Sequence, residues 1–101
     1  MASVYVPQKP FKLDISDAER FGDIHFLNAG GDVYRNSEAA MESIRDGLEN
    51  ITGDDHILLI GDPVMLSAAV AIAAKKLQGR IRVLKYDRQK SVYVSILIDL
   101  W

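Results

Sequence analysis

The chain contains no cysteine. Disulfides, thiol nucleophiles and Cys-based zinc or iron–sulfur sites are therefore excluded. Histidine is nearly as scarce. His25 and His56 are the only imidazoles, and neither has a second ligand-type residue at helical spacing, so no metal site and no cofactor is expected. The longest predominantly apolar run, Val64 to Ala74, falls short of the roughly 20 residues that span a bilayer. The opening Met1-Ala2-Ser3-Val4-Tyr5-Val6-Pro7 lacks the basic-then-apolar pattern of a signal peptide. An intracellular protein without a membrane partner is expected. Neither GxGxxG nor GxxxxGK[ST] occurs, which removes the common phosphate-cradling signatures.

What is present suits one small domain. The 101 residues are 49% apolar and 26% charged, enough for a real core and unlike a disordered chain. No repeat or linker divides residues 1–101, so a single domain is expected.

Local signals alternate between strand and helix. Val4-Tyr5-Val6 reads as a short edge strand, with Pro7 and Pro10 holding the following chain extended. Ser16-Asp17-Ala18-Glu19 fits a capping box, and Gly22 is placed to stop a short helix. Asp23 to Asn28 reads as a strand, followed by a turn at Ala29-Gly30-Gly31-Asp32. Asn36 or Ser37 caps a helix running to about Asn50, with Met41, Ile44, Leu48 and Ile51 on one face. The apolar run His56 to Ile60 reads as a central strand. Asp62 and Pro63 then supply the N-cap and first position of an Ala-rich helix closed by Gly79. Arg80–Tyr86 and Val92–Leu100 read as an antiparallel hairpin. Its second strand places Val92, Val94, Ile96, Ile98 and Leu100 on one side and Tyr93, Ser95, Leu97, Asp99 and Trp101 on the other, with one side buried. The fold class is α/β: a mixed sheet of four or five strands, two main helices and a C-terminal β-hairpin, with one sheet face incompletely covered.

The near-neutral charge total is a cancellation. Seven basic side chains fall between Lys75 and Lys90, where only Asp87 opposes them. Among them Arg80, Arg82, Lys85, Arg88 and Lys90 are the candidate contact residues for a protein or another anionic partner. Arg82, between Ile81 and Val83, should point away from their face. Glu38, Glu42, Asp46 and Glu49 recur at i, i+4, i+8 and i+11 and form an acidic surface. The two charged stripes could pair across a homodimer, with terminal Trp101 as an interface anchor. Gly30, Gly31, Gly61 and Asp62 would share one sheet edge if their preceding strands are parallel. That would make a small-molecule or nucleotide crevice, although Asp62 opposes an anion there. Asp54 and Asp55 read as a solvated turn. Ser67 and Ser95 have no His near in sequence, so no catalytic set is nominated and the reading leans away from an enzyme.

The run Asp54-Asp55-His56-Ile57-Leu58-Leu59-Ile60-Gly61-Asp62-Pro63 and the segment Arg82-Val83-Leu84-Lys85-Tyr86-Asp87-Arg88 resemble small proteins of tailed bacteriophages. So do the ending Ile98-Asp99-Leu100 and the turn Ser16-Asp17-Ala18-Glu19-Arg20-Phe21-Gly22. The resemblance covers most of the chain and carries no catalytic residues. It implies expression inside an infected bacterium. The function expected is an accessory protein of the host cytoplasm that binds a host or phage protein. A nucleotide-binding domain is the alternative, and a nucleic-acid accessory the weaker one.

Overall fold

The computed structural model describes residues 2–10, 12–27 and 35–100. Five strands form one sheet: β1 (Ser3–Val6), β2 (Asp23–Phe26), β3 (His56–Leu58), β4 (Arg80–Asp87) and β5 (Val92–Asp99), in the order β2-β1-β3-β4-β5. The first four run parallel and β5 is antiparallel to β4. The α/β class, mixed sheet and C-terminal hairpin agree with the sequence.

Helices α1 (Ser37–Gly47) and α2 (Pro63–Lys76) cover one face of the sheet, where Tyr5, Ile57, Ile81 and Val83 meet Ile44, Leu48, Met65 and Ala69. Among the described residues, the opposite face carries one 3₁₀ helix, Ser16–Phe21, over a smaller cluster of Val4, Val6, Ala18, Leu58, Leu84 and Tyr93. The chain thus winds one way from β1 to β2 and the other way from β3 to β4, leaving the reversal between the carboxyl ends of β1 and β3.

The caps are as expected. The Asn36 side chain accepts from the Ala39 N–H at 3.1 Å, and Asp62 accepts from the Val64 N–H at 2.8 Å with Pro63 in the first turn. Several expectations need correction. β1 is an interior strand and not an edge, because Pro7 follows its last residue and removes no ladder donor within it. The Ser16 hydroxyl does not cap the short helix. Its backbone N–H instead donates to Asp14 Oδ1 at 2.9 Å, and the segment is 3₁₀. α1 stops at Gly47, where a Cβ would stand 2.3 Å from Leu27 Cδ2, so the helix end lies directly against the chain leaving β2. β3 is three residues long, since a tight turn takes the Ile60 N–H back to the Leu58 carbonyl.

β5 departs from the burial expected of its alternation. Tyr93 is the buried residue, at 1% exposure, while Val94 and Ile96 on the helix side are 39% and 42% exposed. The reason is coverage. The helices pack chiefly over the strands up to β4, and of the β5 residues it is Ile98 that joins the main core.

Candidate functional site

The basic residues nominated by sequence do not share one surface. Strand alternation puts Arg80 and Arg82 on the 3₁₀-helix side and Lys85 on the α-helix side. Arg80 is spent on Asp99, Nη1 to Oδ2 at 2.9 Å, and Arg82 Nε donates to the Gly53 carbonyl at 3.1 Å. Arg88 and Lys90 sit at the hairpin turn, where Asp87 Oδ1 accepts the N–H groups of Gln89 and Lys90. Lys85, Arg88 and Gln89 rim an open groove whose apolar floor is Val94 and Ile96. The structure therefore groups Lys85, Arg88 and the turn around uncovered apolar side chains, and separates Arg80 and Arg82 from them. Large exposed apolar groups concentrate on this hairpin: Tyr86, Val94, Ile96 and Leu97, with Leu100 just beyond. Val94 and Ile96 lie together on the α-helix side, whereas Tyr86 and Leu97 face the 3₁₀-helix side. Adjacent exposed apolar groups on one face suit a contact better than lone ones, which are commonplace.

The acidic residues Glu38, Glu42, Asp46 and Glu49 are all exposed. Glu38 and Glu42 border a shallow depression with Met41 and Arg45 on the outer side of α1, and Glu49 lies beyond the helix end.

At the carboxyl ends of β1 and β3, Gln8 reaches across the sheet reversal. Its Oε1 accepts the Asp62 N–H at 2.8 Å, and a Cβ on Gly61, at φ +127°, would stand 2.8 Å from Gln8 Cβ. Gly61 is thus needed both for its backbone angle and for this close approach. Gly30 and Gly31, the other two crevice candidates, lie outside the described residues, as does Trp101.

Two arrangements escaped the sequence. The first is His56 with Ser95, whose Nε2 and Oγ are 2.8 Å apart although 39 residues separate them. His56 is 8% exposed and packs on Phe21 with ring centroids 5.3 Å apart and the ring planes tilted by 54°. Burial, seconded by the Arg82 charge, pushes its pKa below the usual imidazole value, and Asp55 opposes this only in part. The ring is therefore neutral at pH 7. In a serine-nucleophile triad a carboxylate on the other ring nitrogen holds the imidazole in the tautomer that accepts the hydroxyl proton. Here Nδ1 is buried without a partner among the described residues. The neighbouring Asp55 is committed elsewhere: Oδ1 accepts the Ser3 N–H at 2.8 Å, and Oδ2 accepts the Thr52 N–H and hydroxyl at 2.8 and 3.2 Å. Asp55, expected in a solvated turn, is instead a buried brace between β1 and the loop before β3, while Asp54 is exposed. This set braces strands, and among the described residues no carboxylate orients His56 toward Ser95.

The second arrangement is a side-chain clamp on β5. Asp17 Oδ2 accepts the Tyr93 N–H at 2.9 Å, and Arg20 Nη2 donates to the Tyr93 carbonyl. Asp17 and Arg20 also pair with each other at 3.3 Å. The backbone contact holds the Asp17 carboxyl below the usual carboxylate range. Arg20 lies 4.2 Å from the Phe21 ring centroid, which fixes its long stem against the sheet.

Among the described residues, no group of three or more His, Cys, Asp or Glu is placed to hold a metal, and no helix is long and apolar enough to cross a membrane. A family model described as phage Pam3 gp32-like protein matches residues 2–100 of the chain. No curated protein and no solved structure matches it.

Proposed function

The chain belongs to the phage Pam3 gp32-like protein family, and from that premise we propose that it acts by binding a protein partner inside an infected bacterium, through the β4–β5 hairpin. The phage membership accords with the resemblance read from the motifs around Asp62 and Lys85. The observation that carries the proposal is the groove at the hairpin tip, where Val94 and Ile96 form an uncovered floor beside the cations Lys85 and Arg88. An apolar floor supplies most of the binding free energy at a contact, and charges at its rim steer encounter and choose the partner. The fitting partner surface is an apolar ridge flanked by carboxylates.

Capture from a lysate of infected bacteria tests this. The native chain should retain a protein that Lys85→Glu/Arg88→Glu loses and Glu38→Gln/Glu42→Gln keeps. Equal retention by all three removes the hairpin from the contact. A thermal shift with nucleotides, or salt-sensitive retention of oligonucleotides with no protein captured, moves the function to the Gly61–Asp62 crevice or to nucleic acid.

A further inference from the structure

We infer that the free edge of β5 pairs with β5 of a second copy of the chain, antiparallel and centred on Leu97, to make a two-fold dimer with a continuous ten-stranded sheet. The inference shares Val94 and Ile96 with the groove described above, but it rests on the backbone groups along the β5 edge and not on the proposed hairpin contact.

The hydrogen-bonding sense of β5 follows from Tyr93. Both of its backbone groups go to the Asp17 and Arg20 side chains, so neither serves the ladder with Tyr86 opposite. Residues of an antiparallel pair alternate between inward and outward backbone groups. Ser95, Leu97 and Asp99 therefore also present their N–H and C=O outward. The inward donation of the Leu100 N–H to the Gly79 carbonyl, at 3.0 Å, confirms the phase. The clamp closes the edge at Tyr93 and leaves three consecutive outward residues open.

Edge strands are ordinarily guarded by charge, proline, a bulge or a covering segment. From Val92 to Ile98 this edge has no charge, no proline and no glycine. The charge at Asp99 is answered within the chain by Arg80 at 2.9 Å.

A second copy fits this edge because the segment is complementary to itself in one register. Centring on Leu97 uses all three open residues: Ser95 pairs with Asp99 of the other copy, Leu97 with Leu97, and Asp99 with Ser95. The side chains then match. Val94 meets Leu100, Ile96 meets Ile98, and Leu97 meets its own image, so the exposed apolar groups of β5 and Leu100 all gain apolar neighbours. The Ser95 hydroxyl comes beside the Asp99 carboxylate. A centre one residue earlier, on Ile96, forms one fewer backbone pair because Tyr93 is already clamped.

Because the chain lacks cysteine, single substitutions read the register directly. Sedimentation should give twice the 11.2 kDa chain mass, falling to the single mass for Leu97→Lys, which opposes two ammonium groups on the axis. Leu97 is 43% exposed, so this variant should fold, as circular dichroism can confirm. In the native background, Leu97→Cys should oxidise to a covalent dimer far faster than Ser95→Cys or Ile96→Cys, since paired Cα atoms on the axis fall within disulfide reach. A monomer at every concentration overturns the inference, and so does a dimer that crosslinks fastest at Ser95→Cys or Ile96→Cys. The outcome is separable from the hairpin contact, because Lys85→Glu/Arg88→Glu leaves the pairing residues untouched.

Discussion

The Asp17 carboxylate accepts the backbone N–H of Tyr93 at 2.9 Å across 76 residues of sequence. Together with Arg20 on the Tyr93 carbonyl it stands in for the neighbouring strand that an edge residue lacks. This contact ties the 3₁₀ helix, the main cover on its face of the sheet, to the C-terminal hairpin.

Removing the carboxylate should therefore loosen one place first. In Asp17→Ala the Tyr93 amide should exchange with solvent much faster than in the native chain, while amides of α2 keep their protection. The melting temperature should fall, and less so in Asp17→Asn, whose Oδ1 still accepts. Uniform acceleration across the molecule would show that the clamp has no local role.

His56 makes stability depend on pH. Its folded pKa is held below the unfolded value of about 6.5. The folded state thus binds fewer protons, and this contribution is whole above that value and lost as pH falls through the folded pKa. Denaturant midpoints should decline from pH 7 toward pH 5, and the decline should flatten in His56→Gln. An NMR titration of the His56 ring placing its midpoint above the free-imidazole value would contradict this.

Glycine replacements should separate by backbone surroundings. A Cβ at Gly22, whose φ is +150°, would stand 2.3 Å from the Ala2 carbonyl oxygen, a backbone atom that cannot step aside. Gly22→Ala should cost on the order of 1–3 kcal/mol. At Gly53 nothing lies within 4 Å, and Gly53→Ala should fall within about 0.5 kcal/mol of the native stability in chemical denaturation.

The smaller core can be probed at Leu58, fully buried between β1 and β4 beneath the 3₁₀ helix. Leu58→Ala should lose about 2–5 kcal/mol, because the surrounding strands are held by their ladders and collapse little into the gap. A loss below 1 kcal/mol would mean that this face is loosely packed.

Much of this molecule was written in local signals. Asn36, Asp62 and Pro63 announce the helix starts through their own side-chain chemistry, and the alternation of Arg80–Asp87 and Val92–Asp99 announces the hairpin. Alternation separates two faces of a strand but does not say which one another layer covers, so the exposure of Val94 and Ile96 had no sequence signature. Nor does periodicity name a strand's neighbours, which is why Val4-Tyr5-Val6 resembled an edge. Of the nominated basic residues, spacing could place Arg82 and Lys85 on opposite faces, but only folding shows that Asp99 and Gly53 occupy Arg80 and Arg82. The His56–Ser95 and Asp17–Tyr93 contacts join strands and turns far apart in the chain, and nothing local predicts them.

The hairpin as contact surface is tested most directly by placing a photo-crosslinking residue at Gln89, on the groove rim, and separately at Glu42 on α1, in the chain expressed within infected bacteria. Irradiation should attach a foreign protein at position 89 and none at position 42. Attachment at position 42 alone, or at neither position, would contradict the assignment of the hairpin as the binding surface.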